Sequence, residues 1–173
     1  KGVFTQELEE KLLNKEIDGA VHSLKDLPTE LPDDLTIGAC LHRDTSADAL
    51  VFPAEASFGM LEELPRGFRI GTSAVRRKAL ITHYNSNLQP VELRGNIDTR
   101  VNKLLDGQCD ALCLSLAGLQ RLGFDQDARI RILALPERYF LPAVAQGCVA
   151  VECKNQKDIL KIFKKIEDPT TEV

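Results

Sequence analysis

The sequence predicts an α/β protein in which helices cover the faces of a sheet. From about Arg69 onward, short apolar segments alternate with amphipathic helical segments, and the connections between them are short. Hydrophobic residues make up 43% of the 173 residues and charged residues 28%, as is usual for globular domains. No apolar run approaches the length of a membrane span and no secretory signal is visible, so we expect neither a membrane protein nor a secreted one.

The first third of the chain contains one predicted helix and three predicted strands. Apolar residues at helical spacing predict a helix from Phe4 to Ile17, and Asp18-Gly19 ends it. Polar and Pro-containing segments then separate three short β-prone runs. We expect these strands at Ala20–Leu24, Leu35–Leu41 and Ala49–Phe52.

The remaining chain alternates strands and helices, with Gly-containing turns between several of them. The predicted order is a strand ending at Ile70, a helix over 74–83, a strand over 91–93, a helix over 98–105, a strand over 111–116 and a short helix over 118–122. A strand over 148–152 and an amphipathic helix over 154–166 follow.

Charge and cysteine content narrow the possible function classes. The net charge of −4 argues against broad electrostatic binding to nucleic acid, which requires a basic surface. The cysteines are odd in number and lack the spacing of a zinc site. We therefore predict no metal site, and buried, reduced thiols in a cytoplasmic or organellar-matrix protein. The five cysteines are Cys40, Cys109, Cys113, Cys148 and Cys153.

The segment Val21–Pro28 places charged residues directly after a predicted strand. Pro28 disfavours continuation as a central strand, and strand ends are where α/β sheets bind their ligands. A carboxylate such as Asp26 suits a developing positive charge, or a proton that moves on and off nitrogen. A surface pair between Lys25 and Asp26, or an Asx turn before Pro28, explains the same residues without catalysis.

The turn Gly71-Thr72-Ser73 precedes two arginines. It supplies hydroxyls and the free N–H groups of a helix start, which favour anions. Arg76 and Arg77 lie in the first helical turn, where arginine does not stabilise the helix, so an anion is expected beside them. Alternatively, both arginines are solvated and Ser73 is only an N-cap.

The next strand is followed by a second turn of similar composition. Gly95 permits close approach of the backbone, Asn96 can cap the following helix, and Arg94 and Arg100 bracket the turn. Local pairing of Asp98 with Arg94, Arg100 or Asn102 is the alternative interpretation.

A third segment, Gly118–Arg121, adds one more arginine, which on a short surface helix is commonly just solvated. Guanidinium groups that follow successive strand ends are expected to converge on one crevice. Because arginine binds carboxylate and phosphate through two parallel hydrogen bonds, the expected ligand carries several such groups. The chain contains neither GxxxxGKS/T nor GxGxxG, which disfavours a nucleotide and leaves polycarboxylates.

Five blocks of sequence carry a family resemblance, and a sixth supports it. They are KGVFTQELE at 1–9, VHSLKDLP at 21–28, GTSAVRR at 71–77, LRGNIDTR at 93–100 and LPAVAQG at 141–147, with AGLQRLG at 117–123 in support. Through these blocks, which occur in order and span essentially the whole chain, the sequence resembles the porphobilinogen deaminase family, also called hydroxymethylbilane synthases.

The resemblance implies a fold and a domain organisation. We expect two periplasmic-binding-protein-like (type II) α/β domains with mixed sheets, the first of them incomplete, and an active site in the cleft between them. Residues 1–41 with 147–166 then form domain 1, residues 42–146 form domain 2, and residues 167–173 begin a missing domain 3. Family precedent implies a monomer, and the charge and the apolar runs lead us to expect neither a nucleic-acid nor a membrane partner.

The resemblance also implies a reaction and its residues. Four porphobilinogen molecules are joined head to tail to give hydroxymethylbilane, with release of ammonia. Asp26 matches the aspartate that contacts pyrrole nitrogens and stabilises the cationic azafulvene, and Gln146 matches a residue at the cleft hinge, although it could be a simple turn residue. The positions assigned to binding of the acetate and propionate side chains are Ser23, Lys25, Thr72, Ser73, Arg76, Arg77, Arg94, Arg100 and Arg121, together with Asn96.

Several features depart from the family pattern. Family members carry a dipyrromethane cofactor on the cysteine of a Gly-Gly-Cys loop in the third domain, and this sequence contains no Gly-Gly-Cys. The opening strand and helix of the family have no counterpart before Lys1. We therefore expect this chain to be an inactive fragment of an active deaminase. Residues that differ from those usual in the family are Ala74, Asp98, Ala145 and Cys148.

Two alternative functions belong to different classes. One is a non-catalytic two-lobed module that binds a small polycarboxylate, and the other is an inactive remnant of the enzyme. Asp26 discriminates the first from the enzyme, because a pure anion receptor gains nothing from a carboxylate beside its cations.

Overall fold

The computed structural model of this chain describes residues 3–171. Residues 1–2, which open the first family block, and residues 172–173 lie outside the described residues, as does the side chain of Phe4. The described chain divides into two compact units. Unit 1 contains residues 3–45 and 144–171, and unit 2 contains Ser46–Ala143.

Five α-helices and eight strands are found among the described residues. The helices are α1 (Val3–Leu13), α2 (Val75–Tyr84), α3 (Ile97–Leu105), α4 (Leu116–Arg121) and α5 (Lys157–Phe163). The strands are β1 (Gly19–Ser23), β2 (Leu35–Cys40), β3 (Asp48–Pro53), β4 (Arg69–Gly71), β5 (Gln89–Val91), β6 (Ala111–Ser115), β7 (Ile130–Ala134) and β8 (Val149–Lys154). Within the described part of the chain, no helix combines the length and the apolar character that crossing a membrane requires.

Unit 1 is built on a three-stranded antiparallel sheet in the order β1-β8-β2. Helix α1 packs on one face, where Leu12 forms a core with Ala20 and Leu35. On the other face, the ring of Phe163 lies so close to Gly19 that an added Cβ would come within 2.5 Å of it. Glycine at this position therefore allows the end of α5 to approach the sheet.

Unit 2 is built on a five-stranded mixed sheet in the order β5-β4-β6-β3-β7. Strand β4 is parallel to β5 and β6, whereas β3 is antiparallel to β6 and β7. Helices α3 and α4 bury Val101 and Leu119 against one face, and α2 buries Ile81 against the other. The predicted α/β class, with helices covering a sheet, is confirmed.

The predicted strand over 91–93 and the predicted helix over 118–122 both begin two residues earlier than expected, and three differences are larger. Helix α1 ends at Leu13 rather than Ile17, because Lys15 adopts a φ of 61°, which a right-handed helix cannot include. Strand β7 was not predicted, although its Ile-Arg-Ile alternation is typical of a strand with one buried face. The last predicted helix is shorter, since α5 ends at Phe163 and a 3-10 turn over Lys164–Ile166 follows it.

Candidate functional site

Three of the predicted anion-binding segments follow neighbouring strands of unit 2. Strands β5, β4 and β6 are parallel neighbours, so their carboxyl ends lie at the same edge of the sheet. Helix α2 begins shortly after β4, α3 after β5, and α4 directly after β6. Ligands of α/β sheets bind at this kind of edge. We call it the unit 2 edge.

The turn between β4 and α2 lies at the unit 2 edge. Thr72 is fully buried, and its hydroxyl accepts a hydrogen bond from the N–H of Ala74 at 3.3 Å. Ala74, not Ser73, is the N-cap residue of α2, so the interpretation of Ser73 as only an N-cap is wrong. The hydroxyl of Ser73 instead accepts a hydrogen bond from Nη2 of Arg100 at 3.3 Å.

Arg76 and Arg77 share an internal carboxylate that the sequence analysis missed. Arg77 is buried, and its Nε and Nη2 lie 3.0 and 2.8 Å from Oδ1 of Asp48. Nη1 of Arg76 lies 2.7 Å from Oδ2 of the same residue. The interpretation of both arginines as merely solvated is therefore wrong. Whether they also hold a ligand stays a prediction.

Asp48 reaches the unit 2 edge because β3 runs antiparallel to β6. The first residue of β3 therefore pairs with Ser115, the last residue of β6. One sequence signal could have identified Asp48, since it is a lone carboxylate in the otherwise apolar run 47–52. A carboxylate in a fully buried strand needs a partner, and a nearby pair of arginines supplies one.

The turn between β5 and α3 positions Arg94 and Arg100. Oδ1 of Asn96 accepts a hydrogen bond from the N–H of Thr99 at 2.8 Å, so the predicted cap is confirmed. Nε of Arg100 donates to the carbonyl of Gly95 at 2.7 Å. Arg94 is highly exposed and pairs with Glu92 at 3.1 Å. Neither arginine pairs with Asp98, so local pairing of Asp98 with Arg94 or Arg100 is wrong.

Among the described residues, no carboxylate is hydrogen-bonded to Arg100 at the unit 2 edge. Within the described chain, its hydrogen bonds go to a carbonyl and a hydroxyl. Burial lowers the pKa of Arg100 below its ordinary value, and the positive charge of Arg77 lowers it further, while Glu92 opposes the shift. Both causes disfavour the charged form, so a bound anion would stabilise it.

Arg121 lies at the opposite end of its helix from the unit 2 edge. Helix α4 begins at Leu116, directly after β6, whereas Arg121 is its last residue. Its side chain is exposed. Its assignment to ligand binding stays a prediction.

In unit 1, the predicted catalytic segment forms a short turn after β1. A 3-10 helix over Leu24–Asp26 follows Ser23 directly, and the N–H of Leu24 donates to the carbonyl of Cys148 at 3.0 Å. Ser23 and Asp26 are exposed, and Lys25 is half-buried. Nζ of Lys25 donates to Oε1 of Gln146 at 3.3 Å. The carboxylate of Asp26 is thus presented to solvent at a strand end.

Gln146 belongs to one of two chain segments that run side by side in unit 1. Its side chain is fully buried, and its carbonyl accepts a hydrogen bond from Nε of Arg43 at 3.1 Å. Gly147 has a φ of 93°, and a Cβ there would clash with the carbonyl oxygen of Asp44. Ala145 also has a positive φ, of 60°, which strains a residue with a Cβ. Gln146 is therefore more than a surface turn residue.

The cysteines are buried and free, as predicted. Burial is the main cause that raises the pKa of the Cys40 thiol to about 11, that of Cys109 to about 11 and that of Cys113 to about 12. These thiols therefore remain protonated and are poor nucleophiles at neutral pH. Among residues 3–171, no three His, Cys, Asp or Glu side chains are grouped closely enough to hold a metal ion.

Comparisons with known sequences agree with the predicted resemblance. A family model described as "Porphobilinogen deaminase, dipyromethane cofactor binding domain" matches residues 1–161. A porphobilinogen deaminase of Desulforamulus reducens is 47% identical over 99% of this chain and 54% of its own length. One from Nitrobacter hamburgensis is 47% identical over 100% of this chain and 53% of its own length. The chain thus spans about half the length of these curated relatives.

Solved structures with similar folds are only distantly related in sequence. The periplasmic VFT2 domain of BvgS from Bordetella pertussis matches with a TM-score of 0.56 and 16% identity, covering 94% of this chain and 66% of that domain. A substrate-binding protein of an amino acid ABC transporter matches with a TM-score of 0.51 and 14% identity, covering 96% of this chain and 70% of that one. These matches confirm the predicted periplasmic-binding-protein-like fold.

Proposed function

Since this chain belongs to the porphobilinogen deaminase family, we propose that the protein carrying it is a hydroxymethylbilane synthase. This transferase joins four porphobilinogen molecules head to tail and releases ammonia in tetrapyrrole and haem biosynthesis. The observation that carries the proposal is the half-buried guanidinium of Arg100, which lies beside Ser73 and has no carboxylate partner within the described chain. Porphobilinogen carries carboxylates that such a group binds.

The unit 2 edge binds the carboxylates of substrate and cofactor in this proposal. Arg100 and Ser73 form one part of the donor set, and the partly exposed Arg76 forms another. Two side chains, Thr72 and Arg77, support these donors from buried positions. Asn96 supports them as the N-cap of α3. Arg94 and Arg121, whose side chains are exposed, provide further positive charge.

Asp26 is the catalytic carboxylate in this proposal. A negative charge at this turn stabilises the positive charge that develops on a pyrrole when ammonia leaves it. The same carboxylate accepts or returns a proton at a pyrrole nitrogen. Lys25 and Gln146 hold the turn in place through their hydrogen bond, and Ser23 adds a hydroxyl at the end of β1.

The residues present fit the family's dipyrromethane cofactor. Its acetate and propionate groups require cationic and hydroxyl donors, and the unit 2 edge presents both in Arg100 and Ser73. When bound, the cofactor supplies the pyrrole carbon to which the first substrate is joined. We propose that it is attached to a Gly-Gly-Cys cysteine of a third domain, because this sequence contains no such motif.

The organisation of the whole protein is part of the proposal. We assign unit 1 to an incomplete first domain, unit 2 to the second domain, and the last residues from about 167 to the start of the third. We propose that the 173-residue chain alone does not turn over porphobilinogen, and that the whole protein is a monomer. The buried thiols support the cytoplasm or an organellar matrix as its location.

Replacement of Asp26 tests the proposed chemistry. In the protein expressed from the full coding sequence, we expect Asp26→Asn to lower kcat for porphobilinogen by a factor on the order of 100 or more, while the unfolding midpoint stays near wild type because Asp26 is exposed. Asp33→Asn replaces another exposed aspartate of unit 1 and serves as the matched control. Unchanged turnover in Asp26→Asn would rule out Asp26 as the catalytic carboxylate.

A further inference from the structure

Asp48 occupies a rigid position at the unit 2 edge. Its side chain is completely buried at the start of β3, a strand with β6 on one side and β7 on the other. Its carbonyl accepts a hydrogen bond from the N–H of Leu135 at 2.8 Å. The carboxylate is therefore held by the sheet itself and not by a mobile loop.

The two oxygens of Asp48 contact two different guanidinium groups. Oδ1 lies 2.8 Å from Nη2 of Arg77, a buried side chain that also donates to the carbonyl of Cys113 at 3.3 Å. Oδ2 lies 2.7 Å from Nη1 of Arg76, whose side chain is 28% exposed. The same Nη1 donates to the carbonyl of Leu141. Arg76 is thus held through one nitrogen, and its side chain remains partly exposed.

The charge balance of this cluster also depends on Asp48. Arg76 and Arg77 lie in the first turn of α2, where the helix dipole and each other's charge oppose them. The carboxylate of Asp48 lies against both positive charges and offsets part of their repulsion. The orientation of Arg76 is therefore set before an anion arrives.

We propose that Asp48 is a positioning residue for substrate binding, acting through Arg76. It fixes the guanidinium of Arg76 so that its other N–H groups meet a carboxylate of porphobilinogen or of the growing chain. This inference rests on the proposed function for the identity of the anion. It adds a residue that the sequence resemblance did not indicate.

The test uses Asp48→Asn in the protein expressed from the full coding sequence. We expect KM for porphobilinogen to rise by about 10-fold while kcat changes by less than about threefold, since a binding group loses its orientation and the reacting centre is untouched. Asp127→Asn removes the partner of Arg129 elsewhere in unit 2 and serves as the matched control, with KM unchanged. A wild-type KM in folded Asp48→Asn would overturn the inference.

Chemical labelling gives a readout that loss of stability alone does not move. Phenylglyoxal reacts with accessible guanidinium groups, and peptide mapping reports each arginine separately. In Asp48→Asn we expect Arg76 to react severalfold faster, while Arg129, the reference in the same digest, keeps its wild-type rate. Equal acceleration of both arginines would indicate general loosening and would count against a positioning role.

A second variant covers the case in which Asp48→Asn does not fold. Arg76→Lys retains the positive charge on a partly exposed side chain but loses the planar group that contacts Asp48, Leu141 and a carboxylate together. We expect the same rise in KM of about 10-fold. A wild-type KM would show that charge alone suffices, which contradicts the inference. If the wild-type protein shows no turnover at all, the proposed function fails, and the labelling of Arg76 alone decides the role of Asp48.

Discussion

Arg77 and Arg100 lie near the same edge of unit 2 in opposite electrostatic surroundings. Arg77 is buried against a carboxylate, with Asp48 2.8 Å away, and serves the packing of α2 on the sheet. Arg100 is half-buried beside a hydroxyl and a carbonyl, with no carboxylate partner in the described chain. Both lie in the first turn of a helix that follows a strand end. The difference teaches that the position of an arginine after a strand does not by itself tell whether the protein pairs it with a carboxylate of its own.

The largest expected effect is the loss of stability when Arg77, the arginine paired with a carboxylate, is replaced. In the protein expressed from the full coding sequence, Arg77→Gln leaves the carboxylate of Asp48 buried with only Arg76 as its charged partner among the contacts described above. We expect the free energy of unfolding, measured with urea, to fall by about 3–5 kcal/mol. Arg129→Gln, at an exposed ion pair, is the control. A loss below about 1 kcal/mol is typical of an exposed ion pair. Such a result would contradict the contrast drawn between Arg77 and Arg100.

Replacement of Arg100 should change substrate binding rather than stability. Because burial lowers the pKa of Arg100 in the folded state, its charged form carries a cost to stability at neutral pH. That cost declines only as pH rises from the folded-state pKa to the unfolded-state pKa. Arg100→Gln should therefore leave the urea midpoint unchanged or slightly higher. We expect KM for porphobilinogen to rise by a factor on the order of 10–100, as for a lost charge-assisted hydrogen bond. A lower midpoint with a wild-type KM would show that Arg100 is structural.

The smallest expected effect is on the exposed ion pair between Arg129 and Asp127, which also joins a guanidinium to a carboxylate. Hydrogen bonds from Arg129 lower the pKa of Asp127 from 3.8 to about 2. A lowered folded-state pKa stabilises the fold above the unfolded-state value and loses that contribution as pH falls through the folded-state value. The difference in melting temperature between wild type and Asp127→Asn should be small at pH 7 and shrink between about pH 4 and pH 2. A difference as large as that of Arg77→Gln would show that exposure does not separate the two pairs.

Unit 1 offers a related contrast in its backbone. Ala145 and Gly147 both have positive φ values, 60° and 93°, on either side of the buried Gln146. Glycine accepts such a value without a penalty, whereas alanine is strained by roughly 1–2 kcal/mol. The sequence resemblance identified Ala145 as a departure from the usual glycine. The structure supplies the physical consequence of that departure.

Much of the fold was predictable because it depends on local patterns. Apolar periodicity and Gly-containing turns located α2, α3 and the strands around them within a few residues. The cap at Asn96 was predictable for the same reason, since its bond to Thr99 spans only one helical turn. Strand β7 was not predictable in the same way, because its short Ile-Arg-Ile alternation lies between charged segments and no Gly-containing turn precedes it directly.

The partners of the charged side chains were not predictable in this way. Asp48 precedes Arg77 by 29 positions, and they meet only because β3 runs antiparallel to β6 at the edge where α2 begins. Similarly, Lys25 and Gln146 are 121 positions apart and form a hydrogen bond in unit 1. No periodicity or spacing rule links residues at such separations.

The amino-acid sequence by itself determined the α/β class, the family and the residue types available for binding carboxylates, because these depend on local propensity and on contiguous motifs. Only the tertiary structure decided that Arg77 is neutralised by Asp48 while Arg100 is not. The physical reason is that the charge state and function of a guanidinium depend on its burial and on the nearest carboxylate, and both are set by strand order and helix packing.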